Sequence, residues 1–386
     1  MTLRVLSVFG TRPEAVKMAP VVQALAHTPQ VVSLVCVTAQ HRQMLDQVLG
    51  LFDIHPDVDL NLMQTDQNLA SLTAAIFTHL DPVLASMKPD WILVQGDTTT
   101  VMASSLAAYY RHIHVGHVEA GLRTNDKWQP FPEEINRRLA SVVTDLHFAP
   151  TDWARQNLIR ENIPSQQIVV TGNPVIDALQ AVVRMPVTPD VLDIFKRIDI
   201  PYQSSESSDK ASGSSPRLIL VTAHRRENFG QPLEHICSAL KKLADIYRDG
   251  IRIVYPVHLN PNVQEPVHRI LGNIPNISLL EPLDYLPMVH LMKHASLVLT
   301  DSGGLQEEAP ALGKPVLVMR AVTERPEGVQ AGTVQLVGTE TDVIVKQACR
   351  LLDDPHAYAA MAQAINPYGD GKAAMRIVNA ILDAGA

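Results

Sequence analysis

The feature that most constrains this chain is an alternation of short β-rich runs with helix-length segments, which occurs twice along its length. Residues 5–9, 31–37, 91–94, 113–118 and 147–149 read as strands, with 168–170 as a shorter last one. The stretches between them, such as 14–26 and 102–111, carry apolar residues at helical spacing. Strands joined through helices pair in parallel, so this alternation predicts parallel sheets wound with helices. The pattern then restarts with strands at 217–222, 251–256, 277–279, 297–300 and 315–319. A chain of 386 residues also exceeds what one hydrophobic core usually covers. The expectation is an α/β protein of two Rossmann-like domains with a cleft between them.

A polar, Ser-rich stretch separates the two series and predicts a flexible surface loop at 203–216, since it has too little apolar surface to bury. Near the end, Pro367-Tyr-Gly-Asp-Gly-Lys372 reads as a turn and 373–386 as a helix. Ile377 and Ile381 share one stripe of that helix, with Met375, Val378 and Leu382 beside it, so it must dock against another element. These boundaries give an N-terminal domain at 1–180 and a C-terminal domain at 181–372.

Bulk properties narrow the function. A net charge of -8 argues against a nucleic-acid partner, which calls for a basic face. Cys36, Cys237 and Cys349 are far apart and include no CxxC pair, which suits a reducing cytoplasm better than a disulfide scaffold. No apolar run reads as membrane-spanning, and Arg4 interrupts what would otherwise be a signal-peptide core. A cytoplasmic protein with no membrane partner is expected.

Three acids stand within two residues of Gly or Pro at or beyond the ends of apolar runs. They are Asp97 in Gln95-Gly-Asp-Thr-Thr-Thr100, Glu119 in Gly116-His-Val-Glu-Ala-Gly121 and Glu133 in Pro130-Phe-Pro-Glu-Glu134. In an open α/β sheet, strand ends and the loops beyond them form the ligand crevice. Carboxylates gathered there suit proton transfer to and from carbon, although any one of them could equally cap a helix or pair with a nearby cation.

Other segments suit an anion. Leu297-Val-Leu-Thr-Asp-Ser-Gly-Gly-Leu-Gln-Glu-Glu308 reads as a strand, a Gly-Gly turn and a helix whose first amides favour negative charge. Ser302 adds a hydroxyl, and Glu308 could accept from sugar hydroxyls. The same pattern also fits an ordinary turn capped by Asp301 or Ser302. Phe9-Gly-Thr-Arg-Pro-Glu-Ala-Val-Lys17 is a second such unit, with Arg12 and Lys17 placed for phosphate oxygens. It matches neither GxGxxG nor a Walker loop, so no nicotinamide or ATP site is assigned. His224-Arg-Arg226 follows the first strand of the second series. His112-Ile-His114 with His117 has the spacing of metal ligands, with His112 and His114 on one strand face, but no further ligand pattern accompanies it. No metal and no cofactor are assigned.

Taken in order, these segments closely resemble the bacterial non-hydrolysing UDP-N-acetylglucosamine 2-epimerases. The resemblance rests on the segments above together with Thr38-Ala-Gln-His-Arg-Gln-Met-Leu-Asp46, Thr171-Gly-Asn-Pro174, Tyr255-Pro-Val-His-Leu-Asn-Pro261, Thr323-Glu-Arg-Pro-Glu327 and Asn366-Pro-Tyr-Gly-Asp-Gly-Lys372. It covers essentially the whole chain outside the Ser-rich insertion. The resemblance implies a glycosyltransferase-B-like fold whose terminal helix crosses back to the first domain, and a homodimer. It also implies interconversion of UDP-GlcNAc and UDP-ManNAc through 2-acetamidoglucal and UDP, for cell-envelope polysaccharide.

Site residues follow from the same resemblance. Asp97, Glu119 and Glu133 match the family's acid/base carboxylates, and His224 its histidine near the departing phosphate. Arg12 and Lys17 match substrate contacts in the first domain. Ser302, Gly303 and Gly304 match the diphosphate turn, Glu308 the ribose acceptor and Arg325 a further nucleotide contact. Leu283 and Met288 fall near the uracil, where the family often has an aromatic in place of Met288. Gln40, Gln43, Arg225 and His258 match positions that bind a second, activating UDP-GlcNAc in several members. Asp66 stands where some members use a basic residue, which implies weak or absent activation. A glycosyltransferase of the same fold, or a non-catalytic UDP-sugar sensor, is the alternative reading.

Overall fold

The computed structural model describes residues 2–38, 42–62, 67–202 and 215–385, with the backbone alone at 42 and 43. Gln40, Asp66 and most of the Ser-rich stretch (203–214) lie outside the described residues. The chain divides into two compact units, Met1–Gln180 with Tyr368–Ala386, and Ala181–Pro367.

The first unit is built on strands β1 (Leu3–Phe9), β2 (Val31–Val37), β3 (Val58–Asp59), β4 (Trp91–Gln95), β5 (His114–Val118), β6 (Leu146–Ala149) and β7 (Ile168–Val170). They form one seven-stranded sheet in the order β3-β2-β1-β4-β5-β6-β7, and every neighbouring pair is parallel. All five residues of β4 are buried, as a strand covered by helices on both faces requires. The chain winds outward from β1, then returns to place β4 on its other side, in register Val5 with Trp91. That reversal between β1 and β4 is a topological switch point, where the loops beyond the strand ends open a crevice.

The second unit repeats the plan with β8 (Arg217–Thr222), β9 (Ile251–Pro256), β10 (Ile277–Leu280), β11 (Ala295–Thr300), β12 (Val316–Val318) and β13 (Val334–Leu336). Its parallel six-stranded sheet runs β10-β9-β8-β11-β12-β13, which puts the switch point between β8 and β11. The expected α/β pair of parallel, helix-wound sheets is what forms. β3 and β13 were not foreseen, because Val58-Asp59 and Val334-Gln-Leu336 form no continuous apolar run of the kind that marks the three-residue β7.

The helices follow their local sequence. Arg12–Ala26 starts with a capping box between Thr11 and Glu14, has Pro13 in its first turn and buries Ala15, Met18, Val22 and Leu25. Leu69–Met87 buries Leu72, Ile76, Leu80 and Leu84 at four-residue spacing, in a cluster with Leu6, Val8, Ile92 and Val94. At 19 residues this helix is long and apolar enough to cross a membrane. The sequence reading missed it because the polar residues between its buried positions break up any continuous apolar run.

Terminal helix Ala373–Ala384 buries Ala374, Ile377, Val378 and Ile381 and packs on the helix Arg12–Ala26. Its first amides, at Ala373 and Ala374, donate to the Asp177 carboxylate at 3.2 and 2.9 Å. Residues 368–372, set at the end of the second domain on sequence grounds, cluster with the first unit instead. Tyr368 is buried, and its carbonyl accepts from the Asn173 amide at 2.7 Å.

Candidate active site

In the first unit the switch point begins where β1 ends, at Gly10. The buried Glu14 carboxylate accepts the amides of Gly10 and Thr11 at 2.9 and 2.7 Å and the Thr98 hydroxyl at 2.5 Å. Glu14 therefore ties the turn after β1 to the turn after β4. Burial raises its pKa, and the hydrogen bonds from Thr98, Gly10 and Thr11 pull the other way. A Cβ at Gly10 would lie 1.9 Å from the Thr38 hydroxyl oxygen, so only glycine fits this approach. The fixed turn sets the start of the helix that carries Arg12 and Lys17, both half-buried.

Lys17 meets Glu119. Its Nζ lies 2.6 and 2.7 Å from the two carboxylate oxygens, which also accept Nε2 of Gln95 at 2.5 Å and Nδ2 of Asn173 at 2.8 Å. Donors from three segments of the unit thus converge on one buried acid just past β5. Glu119 has a φ of 65°, in the left-handed region that costs a non-glycine residue roughly 1–2 kcal/mol. The converging donors hold it there.

Asp97 lies just beyond β4, after Gly96 turns the chain with a φ of 82°. Its Oδ2 accepts both Nε (3.0 Å) and Nη2 (2.5 Å) of Arg137, and its backbone carbonyl accepts Nδ2 of Asn136 at 2.9 Å. Oδ1 accepts no hydrogen bond from the described residues. Arg137 also donates Nη1 to buried Glu134 at 3.2 Å, and Glu134 in turn accepts the amides of Thr124 and Asn125 at 3.0 and 3.2 Å. Burial opposes the Arg137 charge, yet Asp97, Glu134 and Glu119 together raise its pKa. Glu133 opens the same helix, Glu133–Val143, and is half-buried one turn before Arg137.

The histidines thought of as a strand-borne group are dispersed. His112 sits in the turn before β5 with a φ of 57°, so it shares no strand face with His114. His114 stacks on Trp91 with ring centroids 4.9 Å apart. His117 is fully buried, donates Nε2–H to the Gly96 carbonyl at 2.7 Å, and is pushed down to a pKa of about 3 by burial. Among the described residues no three His, Cys, Asp or Glu side chains are grouped to hold a metal ion.

The second unit shows a parallel arrangement after β8 and β11. Fully buried Asp301 receives the backbone amides of His224 and Arg225, each at 2.8 Å, and Nδ2 of Asn228 at 3.0 Å, all on Oδ2. Its Oδ1 lies 3.6 Å from Nδ1 of His224. Asp301 therefore reaches across the switch point to fix the His224 loop, and caps nothing. Ser302 does not cap the helix Leu305–Ala311 either, whose N-cap is Gly304. Burial lowers the His224 pKa; Asp301 counters this, while Arg225 and His258 add to it. The His258 ring stacks on that of His224 at 5.6 Å, so Arg225 and His258 form one cluster with His224. Of their two expected companions, Gln43 is described only as backbone in the helix Arg42–Leu51.

Ser302, Gly303 and Gly304 lead into Leu305–Ala311, whose first amides have no partner within the helix. Gly303 is tightly placed, since a Cβ there would lie 2.5 Å from Nη1 of Arg325. Arg325 itself is buried, pairing through Nε with Glu307 and through Nη1 with Glu324 at 2.7 Å. Glu324 is held at a pKa of about 2: burial would raise it, but Arg325 and Arg320 more than compensate. Glu308 accepts the Tyr285 hydroxyl at 2.6 Å. Half-buried Leu283 and Met288 flank Tyr285 in the chain.

Sequence reasoning passed over Glu14, Gln95, Arg137, Asn173 and Tyr285. Arg137 carried a usable signal, standing three and four residues after Glu134 and Glu133, the spacing at which acid and base meet on a helix. Gln95 and Asn173 sit inside segments already singled out, but nothing in one sequence shows that both turn toward Glu119.

Comparison with known proteins adds three findings. The family model for UDP-N-acetylglucosamine 2-epimerase matches residues 23–382. The chain is 56% identical over 379 residues to the UDP-N-acetylglucosamine 2-epimerase of Salmonella typhimurium, covering 98% of each protein, and equally identical to that of Escherichia coli K12 over the same coverage. Among solved structures it resembles the UDP-GlcNAc 2-epimerase of Neisseria meningitidis bound to UDP-GlcNAc, with a TM-score of 0.87 and 49% identity over 99% of this chain and 100% of that one. A glycosyltransferase from Rickettsia africae, 13% identical with a TM-score of 0.57 over 98% of this chain and 94% of that one, shares the fold alone.

Proposed function

The chain belongs to the UDP-N-acetylglucosamine 2-epimerase family, and on that premise we propose that it is an isomerase that interconverts UDP-GlcNAc and UDP-ManNAc without a cofactor. In the first half-reaction a carboxylate takes the proton from C2 of the sugar. The C2–H electron pair becomes the C1–C2 double bond, and UDP leaves C1 with the electrons of the C1–O bond. The products, 2-acetamidoglucal and UDP, stay bound. UDP oxygen then attacks C1 while a second acid delivers a proton to the other face of C2.

The observation that carries this reading is the pair of braced acids beyond adjacent strands β4 and β5. Binding alone would not need carboxylates there, whereas two faces of one carbon need separate proton carriers. Asp97, Glu119 and Glu133 are assigned to proton transfer, with Arg12 and Lys17 as substrate contacts. In the second unit, His224 serves the departing phosphate and Ser302–Gly304 the diphosphate. Glu308 serves the ribose, Leu283 and Met288 the uracil, and Arg325 braces the diphosphate turn as well as meeting the nucleotide. Retaining UDP through the intermediate is what separates an epimerase from a slow hydrolase.

We further assign Arg225 and His258, with Gln40 and Gln43, to a second UDP-GlcNAc that activates weakly or not at all. The enzyme is taken to act as a homodimer in the cytoplasm, supplying ManNAc for envelope polysaccharide. Incubating the protein with UDP-GlcNAc alone and following the products by NMR tests the reading. Accumulation of UDP-ManNAc to a fixed ratio is expected. Free ManNAc with stoichiometric UDP would make the protein a hydrolase, and unchanged substrate would leave the glycosyltransferase or sensor reading.

A further inference from the structure

The two acids next to β4 and β5 are braced in different ways, and the difference assigns a role to a residue outside the set above. Glu119 has both oxygens occupied by Lys17, Gln95 and Asn173. Asp97 has one oxygen doubly occupied by the Arg137 guanidinium, while its other oxygen accepts nothing from the described residues. We propose that Arg137 is a positioning residue, which holds Asp97 by Oδ2 so that Oδ1 alone points at the reacting carbon. This rests on the epimerase reading and deepens it.

The geometry supports a built device over a chance surface pair. Two N–H groups of one planar guanidinium meet a single oxygen, fixing both torsions of the short Asp97 side chain. Arg137 is 6% exposed while the Asp97 side chain is 28% exposed, so the cation is buried and solvent reaches the pair only from the Asp97 side. It is itself anchored by Glu134, which has no exposed surface and is held by the amides of Thr124 and Asn125. Asn136, from the same helix, fixes the Asp97 carbonyl, and His117 fixes that of Gly96 one residue earlier. The backbone and side chain of Asp97 are thus both set by one helical turn. Lys17 is committed to Glu119, and Glu14 to Thr98 and the turn after β1. A proton carrier misplaced by 1 Å can lose about a hundredfold in rate, so such anchoring is worth its burial.

The test compares Arg137→Ala, Arg137→Lys, Asp97→Asn and the double variant Arg137→Ala/Asp97→Asn, with wild type as reference. Formation of UDP-ManNAc by wild type secures the epimerase reading, so a silent wild type sinks that reading and a contrary variant sinks only this one. Arg137→Ala should lose roughly 100-fold in kcat with KM changed less than about threefold. Added guanidinium at tens of millimolar should restore roughly tenfold of that loss, and none in Asp97→Asn. The double variant should be no slower than Asp97→Asn, because residues acting as a unit are not additive. If Arg137→Ala does not fold, Arg137→Lys takes its place, with an expected loss of about tenfold since an ammonium cannot make the paired contact. The inference is overturned by an Arg137 variant within threefold of wild type, by losses that multiply in the double variant, or by a loss confined to KM.

Discussion

Glu119 shows at the scale of single residues how a fold can put left-handed backbone at a position proposed for proton transfer. A left-handed glutamate persists only where neighbours over-determine it, and Lys17, Gln95 and Asn173 do so here. Its presence beyond a strand was legible from the Gly and β-rich context of the sequence. Its partners were not, because Lys17, Gln95 and Asn173 come from three distant segments that only the sheet order brings together. Gly303 makes the same point by packing. A methyl group added there would press on the Arg325 guanidinium at 2.5 Å and disturb its pairing with Glu307 and Glu324. Gly303→Ala should therefore raise KM for UDP-GlcNAc by about tenfold and let UDP escape during turnover, seen as free 2-acetamidoglucal. A variant with unchanged KM and no released glucal would remove the diphosphate turn from that place.

Strands β5 and β6 carry a consequence for acid stability at the scale of elements. His117 and His147 lie in register on these neighbouring strands, and both are fully buried. Burial lowers them from 6.5 to about 3 and about 4 respectively. Above pH 6.5 the rings are neutral whether the chain is folded or not. As pH falls below that value the unfolded chain binds protons that the native rings refuse. Each ring then costs stability at about 1.4 kcal/mol per pH unit until its folded pKa is reached. Urea midpoints should fall steadily from pH 7 to pH 5. An NMR titration showing the His117 ring protonating near pH 6 would contradict this. The alternation of strand and helix made most elements readable in the sequence, because each buried strand is a continuous apolar run between turn residues. β3 and β13 escaped because Val58-Asp59 and Val334-Gln-Leu336 form no continuous apolar run. His117 fell within a metal-like spacing, to which no metal was assigned, because spacing alone does not show which way a side chain faces.

For the whole molecule, chain order repeats one plan, a parallel sheet whose strand order reverses once, in each of the two units. The repeated switch point, β1 with β4 and β8 with β11, was implied once the strand series was seen to restart. The docking of Ala373–Ala384 on the first unit was foreshadowed by an apolar stripe that needed a partner, and the family resemblance implied the first domain as that partner. Regulation belongs to this scale as well. With an acid at position 66, the rate should depend hyperbolically on UDP-GlcNAc. A sigmoidal dependence abolished by Gln43→Ala would show that the activating site works.

The central claim is that proton transfer at C2 is what the acids of the first unit do, and one experiment reaches it directly. Wild type and Asp97→Asn are each given UDP-GlcNAc in deuterated water, and C2 of the recovered sugars is read by NMR. Wild type should yield UDP-ManNAc carrying deuterium at C2, and the variant should lose at least about a hundredfold of that incorporation rate. UDP-ManNAc that keeps protium at C2, or a variant as fast as wild type, would contradict the account.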